Sequence, residues 1–313
     1  MNDVEFVSIP GTCKIDFSSK VNGRRYSIRV GIPLISPPGT GYPVFYVLDG
    51  NGYFASAVEA VRENDNAPHV LVVGIGYPDD SDYVEAVLEP HRPLPPSFQD
   101  LSPQMAACTI LRDYDLTLPV TDEELANQSV SGATAKDFGG LDDFLATIET
   151  EVKPRVAALA KTDPSDQAIF GHSLGGLAVI HALFTEPHAF RTFIAASPAI
   201  CWNERAVLAG EAKFAQWIRG AEARPRVLIT MGSEESTADP RIAAKLGIDA
   251  EEFEELIKRA RMIENARELT QRLQTLRASC ALEVEDFALF EKQSHGISPW
   301  PALGRGIMFA FSR

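Results

Sequence analysis

The stretch "QAIFGHSLGGLAVIHALF", residues 167–184, decides how this chain is read. "AIF" has the look of a short buried strand, "LAVIHALF" of a buried helix, and between them G-H-S-L-G sets Ser173 between Gly171 and Gly175. That spacing matches the nucleophile elbow G-x-S-x-G, in which a serine stands at the tip of a sharp strand-to-helix turn. Glycines two before and two after let the neighbouring backbone approach without Cβ clashes. The competing reading is a glycine-rich turn whose serine only caps a helix. The strand–turn–helix setting favours the nucleophile.

Working outward, apolar runs of strand length occur at "YSIRVGIP", "PVFYVLDG", "HVLVVGIGY", "QAIFGHS", "TFIAASP", "RVLITMG" and "LEVEDFAL", each closed by Gly, Pro, Ser or Asp. Helical patterns fall at about 138–161, 174–186, 203–219, 250–276 and 301–311. Strands apolar on both faces, alternating with helices, predict an α/β fold with a mostly parallel sheet covered on both sides. At 313 residues the chain is expected to form a single domain over 1–313. Two segments break the rhythm, at 78–137 and at 233–263. The first, with "EPHRPLPPSFQDLSP" and "TDEELANQSVSGATAKD", is long and Pro-rich, the style of a binding loop or lid. Its aromatics Tyr83, Phe98 and Tyr114 are candidates for shaping a pocket, or for packing the insertion onto the body. Beyond the second, Phe253, Leu256, Ile257, Ala260, Ile263, Leu269, Leu273 and Leu276 recur at near-helical spacing and read as a packed face.

Composition narrows the function classes. Lys plus Arg number 29 against 43 Asp plus Glu, a formal charge of −14, so no basic stripe is on offer for phosphates. Nucleic acid and anionic membrane surfaces are excluded as partners on that ground. No stretch approaches the roughly 18 consecutive apolar residues of a membrane span, and "MNDVEFVSIPG" lacks the basic start and apolar run of a secretory signal. A cytoplasmic protein is expected. Cys13, Cys108, Cys201 and Cys280 lie far apart with no C-x-x-C pair, so neither a metal site nor a disulfide framework is expected.

A serine hydroxyl needs a base, and the base needs a third group to hold its tautomer. In chains with this elbow the partners follow in the order serine, acid, histidine. Six histidines are present, and His295, in "EKQSHGISPW", is the one that follows a late strand in a loop. His69 starts a strand, His91 lies in the insertion, His172 is inside the elbow, and His181 and His188 lie on or just after its helix. For the acid, "RVLITMGSEES" offers Glu235, with Glu234 adjacent, and "LEVEDFAL" offers Asp286 further on. Two amide donors are needed for a developing oxyanion. The N–H of Leu174 follows the nucleophile directly, and the loop in "VFYVLDGNGYF" supplies the N–H of Asn51, with Gly50 close behind. A plain turn would explain "DGNG" equally well.

Taken together, the elbow, the "YVLDG" strand end, "RDYDLT" at 112–117, "FLATIETEVKP", "SPAICWN", "GSEES" and "SHGISPW" resemble the esterase D-like branch of the α/β-hydrolases over about 25–311. That branch includes siderophore esterases, S-formylglutathione hydrolases, feruloyl esterases and mycolyltransferases, and the bacterial siderophore esterases are the nearest in look. The resemblance implies an α/β-hydrolase fold with a long insertion near the site. It also implies Ser173 as nucleophile, His295 as base, Glu235 as acid, and the Asn51 and Leu174 amides as oxyanion hole. Arg112 matches a family arginine near the site and Trp202 an aromatic after the "SP" turn, both as substrate contacts.

The expected activity is hydrolysis of a small-molecule carboxylic ester through an acyl-enzyme, with no cofactor. An acyltransferase, a siderophore lactone esterase and a binding protein on a hydrolase scaffold are the alternatives.

Overall fold

The computed structural model describes residues 7–65, 69–98, 100–126, 133–222, 224–277 and 280–312; part of the polar stretch in the first insertion, 127–132, lies outside them. Among these residues nine strands form one sheet: β1 (Thr12–Ser18), β2 (Arg25–Gly31), β3 (Tyr42–Val47), β4 (Leu71–Gly76), β5 (Thr162–His172), β6 (Thr192–Ala196), β7 (Arg226–Gly232), β8 (Glu283–Val284) and β9 (Ala288–Phe290). Their order is β1-β2-β4-β3-β5-β6-β7-β8, with β9 also on β7. β1–β2 and β2–β4 are antiparallel, whereas every pairing from β4 through β9 is parallel.

Side chains alternate across this sheet with the period of two that a pleated strand imposes. Val44, Tyr46, Ile169 and Phe193 face one core, while Phe45, Val47, Phe170 and Ile194 face the other. The second core is closed by α1 (Gly50–Arg62) and α12 (Pro299–Phe311), through Phe54, Val58 and Val61 and through Leu303 and Ile307. Burying each such side chain contributes about 1.5–3 kcal/mol.

On the first face lie α5 (Leu141–Thr147), α6 (Lys153–Leu159), α7 (Leu174–Thr185), α8 (Glu211–Ile218) and α11 (Met262–Arg277). The chain is buried without a break from Gly175 to Phe184, which is why α7 reads as apolar on all sides in the sequence.

Several expectations are corrected. The segment after "VLDG" is the helix α1, not a loop; Gly50 and Gly52 weaken its signal, but Phe54, Ala57, Val58 and Val61 repeat at helical spacing. The alternating edge strand β1 was not anticipated either. The 138–161 helix contains one wide turn, Ile148–Val152, between α5 and α6.

Over 203–219 only α8 is regular, because Asn203, Glu204 and Arg205 take left-handed backbone angles. The 250–276 helix is broken at Arg261, with φ 44°. There α10 (Ala250–Ala260) ends and packs on α9 (Pro240–Leu246), while α11 continues onto β7 and β8.

The first insertion is also more regular than its prolines suggest. It holds α2 (Ser81–Leu88), α3 (Pro103–Asp115) and the short α4 (Asp122–Ala126). Val84, Leu88, Ala106 and Ala107 form a small core of their own, with Phe98 packed against it. Tyr83 stacks with Arg25, and Tyr114 with Arg24. These are contacts of the packing kind that the sequence also allowed for the three aromatics. The chain carries no helix long and apolar enough to cross a membrane among the described residues.

Candidate active site

The parallel strands all end on one edge of the sheet, and β5 delivers Ser173 there, at the turn into α7. Ser173 has φ 61° and ψ −117°, a backbone conformation that L-residues avoid and that costs of order 1–3 kcal/mol. Hydrogen bonds hold it: its N–H donates to Ala196 O (3.0 Å), and its carbonyl accepts from Leu177 N (3.0 Å) and Ala199 N (3.0 Å). A Cβ on Gly171 would overlap the Gly175 carbonyl, so the turn closes only around glycine.

Across 122 residues of chain, His295 Nε2 lies 3.0 Å from Ser173 Oγ. Its Nδ1 lies 2.6 Å from Glu235 Oε2. The loop carrying His295 is held against the end of β7, where Glu234 N donates to Gln293 O (3.1 Å) and Ser233 N to Phe290 O (2.9 Å).

Of the three candidate acids, Glu235 alone faces the imidazole. Glu234, one residue earlier, points to solvent, and Asp286 is exposed and accepts from Gln274 Nε2 at 3.1 Å. Glu235 is buried, and its other oxygen accepts from Ser197 Oγ (2.6 Å) and Gly232 N (2.7 Å). Burial pushes its pKa up, but the hydrogen bonds and charge of His295, with Ser197 and Gly232, outweigh that and hold it below the usual carboxylate value.

Ser197 and Ser298 were not anticipated. Both are fully buried and their hydroxyls are 2.8 Å apart; since Ser197 gives its proton to Glu235, the one proton of Ser298 is shared between Ser197 Oγ and His295 O, 3.2 Å away. They tie the Glu235 carboxylate to the backbone of the His295 loop. Each precedes a proline, in "AASP" and "GISP", which is the only signal the sequence carries for them.

Leu174 is the first residue of α7 and Asn51 the second of α1, so both N–H groups sit in first turns, where no intrahelical acceptor exists. The positive ends of both helix dipoles fall at these turns. Asn51 is locked there by its side chain, which accepts from Tyr77 N (2.8 Å) and donates to Tyr77 O (2.9 Å). Gly50 abuts Gly74 too closely for any Cβ, which brings the start of α1 down onto β4.

Arg112 grips Asp49, the residue just before α1, with Nε to Oδ1 at 2.9 Å and Nη2 to Oδ2 at 3.1 Å. Asp49 itself is left-handed, with φ 53°. The guanidinium expected to meet substrate is thus engaged in fixing the start of α1. Trp202 packs on Phe138, with ring centroids 4.9 Å apart, and its turn is anchored to the elbow through Ala199.

Among the described residues no cluster of three or more His, Cys, Asp or Glu could hold a metal. A cavity of about 370 Å³ between α5 and the end of α7 shares none of these residues. What the constellation can do chemically is deprotonate a serine hydroxyl beside two helix N-termini.

Residues 114–288 match the family model described as "Putative esterase". Over 310 residues the chain is 31% identical to a ferri-bacillibactin esterase of Bacillus subtilis, covering 97% of this chain and 90% of that protein. It is 30% identical to a siderophore enterobactin esterase of Emericella nidulans, covering 96% and 95%. Among solved structures, the BES protein of Bacillus cereus superposes with a TM-score of 0.76 at 27% identity, over 98% of each chain. An elbow serine on an α/β-hydrolase sheet, with a histidine and a carboxylate brought to it, and relatives matched end to end, make this chain a carboxylic ester hydrolase belonging to the putative esterase family.

Proposed function

We propose that the chain hydrolyses siderophore esters, with Ser173 as nucleophile, His295 as general base and then acid, and Glu235 as the carboxylate that orients and stabilises the imidazole. The observation that carries the catalytic assignment is the continuous chain Ser173 Oγ–His295 Nε2, His295 Nδ1–Glu235 Oε2, at 3.0 and 2.6 Å. His295 takes the serine proton as Oγ attacks the ester carbonyl, and the Leu174 and Asn51 amides receive the oxyanion. The alcohol then leaves with that proton, and water, deprotonated by the same imidazole, cleaves the acyl-enzyme.

The substrate class is supported by the two relatives named above, whose names specify siderophore esters and whose likeness runs through nearly the whole chain. In this reading the chain works as one domain, with the 78–137 insertion contributing Arg112. The four cysteines, all unpaired, fit a reducing, cytoplasmic setting.

The test is hydrolysis of a triester siderophore in iron-free and ferric forms, followed by product chromatography, for wild type and Ser173→Ala side by side. Hydrolysis lost in the variant supports the assignment. Undiminished hydrolysis in Ser173→Ala overturns the nucleophile. Turnover of simple p-nitrophenyl esters without any cleavage of either siderophore form overturns the substrate class.

A further inference from the structure

His172, the residue before the nucleophile, is at the junction of three elements the reaction depends on. It ends β5, it is 6% exposed, and its ring centroid lies 4.5 Å from that of His295 with the planes tilted by 40°. Its Nδ1 lies 3.2 Å from Tyr53 Oη, and Tyr53 belongs to α1, the helix whose first turn carries the Asn51 amide. The Tyr53 ring meets His172 edge-on at 6.1 Å and Trp300 of α12 edge-on at 5.5 Å. Trp300 lies five residues beyond His295, in the first turn of the helix that the His295 connection leads into. One small ring thus touches the elbow, the oxyanion helix and the base.

Two further features fix how the ring is held. Its Nε2 is buried and has no hydrogen-bond partner among the described residues, so Tyr53 Oη is the one polar group that holds the ring. With Tyr53 Oη donating to Nδ1, the neutral ring carries its proton on Nε2. Burial, then the nearby His295 and Arg112, push the His172 pKa well below its usual value. Burial holds the Tyr53 hydroxyl protonated, with its pKa pushed up to about 12. A neutral imidazole here adds no positive charge to oppose the imidazolium that forms on His295 during acyl transfer.

We infer that His172 is a positioning residue: its ring, pinned by Tyr53, backs the His295 imidazole and sets His295 Nε2 in line with Ser173 Oγ. No proton of the reaction passes through it. The inference rests on His295 being the base, and it adds that the elbow supplies the base's packing support as well as the nucleophile.

The experiment uses His172→Phe, which keeps an aromatic ring but removes the Tyr53 acceptor, alongside Tyr53→Phe, the double variant and Ser173→Ala. In the variants that keep Ser173, active sites are titrated with a chromogenic phosphonate and kcat and KM are measured per titrated site on a p-nitrophenyl ester; Ser173→Ala is assayed per mole of protein. A displaced base costs kcat: His172→Phe falls about 10- to 100-fold per titrated site, with KM little changed. Tyr53→Phe falls less, and the double variant falls no further than His172→Phe, because both act through one contact.

Loss of folded enzyme would instead lower the titrated amplitude and leave kcat per site at the wild-type value, which overturns the inference. So does a rise in KM with kcat unchanged, which would place His172 against substrate. Activity persisting in Ser173→Ala would show that the catalytic assignment had failed, separately from the role of His172.

Discussion

Replacing Glu235 by Gln tests the site at its most constrained point. Glu235 Oε1 accepts from two donors, Ser197 Oγ at 2.6 Å and Gly232 N at 2.7 Å. A glutamine in the same pocket must keep its carbonyl oxygen there, since the opposite flip would aim an NH₂ at both donors. Its NH₂ then occupies the place of Oε2, 2.6 Å from His295 Nδ1. An NH₂ can only donate, so Nδ1 gives up its proton and Nε2 carries one. In that tautomer the imidazole cannot accept from Ser173 Oγ. The same tautomer switch in the serine-protease triad lowers kcat about 10⁴-fold, or ~5.4 kcal/mol at 1.36 kcal/mol per decade. Glu235→Gln is therefore expected to lose about four decades of kcat on p-nitrophenyl acetate, and to be labelled by a serine-directed phosphonate correspondingly slowly. A folded variant keeping more than about a tenth of wild-type kcat would refute the reasoning.

Stability follows a second, independent sign. Because Glu235 titrates below its unfolded value in the folded chain, its contribution is fully present above the unfolded value of about 4.3 and fades as pH drops through the folded one. The variant should be less stable than wild type at pH 7, by about 1.5–3 kcal/mol in denaturant unfolding, with the gap closing as the pH is taken below about 4. A gap that widened on acidification would contradict the pairing.

Two further substitutions probe the surroundings. Gly171→Ala places a methyl group on the Gly175 carbonyl; a loss of about 1–3 kcal/mol of stability, with abolished turnover, is expected in thermal unfolding and ester assays, and an unchanged Tm would refute the tight elbow. Arg112→Gln frees Asp49 at the start of α1; kcat is expected to fall about 100-fold, as for a displaced oxyanion donor, with KM within about threefold of wild type. A large rise in KM alone would return Arg112 to the role of a substrate contact.

The sequence by itself determined whatever depends on neighbours along the chain. Strand β5, the glycine-bounded turn and the buried helix α7 follow from residues 167–184, because turn sterics and side-chain periodicity are local properties. His295 was reachable from chain order, since the fold presents its partners to the elbow in sequence. The helix α1 was legible as a pattern but hidden by two glycines.

Tertiary structure alone decided which groups meet. Glu234 and Glu235 are adjacent carboxylates in one turn, and the close approach of the His295 loop to the end of β7 turns one inward and leaves the other in water. The link from Ser298 through Ser197 to Glu235 spans 101 and then 38 residues, the grip of Arg112 on Asp49 spans 63, and the contact of Tyr53 with His172 spans 119. None of these leaves a periodic trace, because a hydrogen bond between distant side chains depends on strand order and loop path, which the sheet sets only when it is assembled.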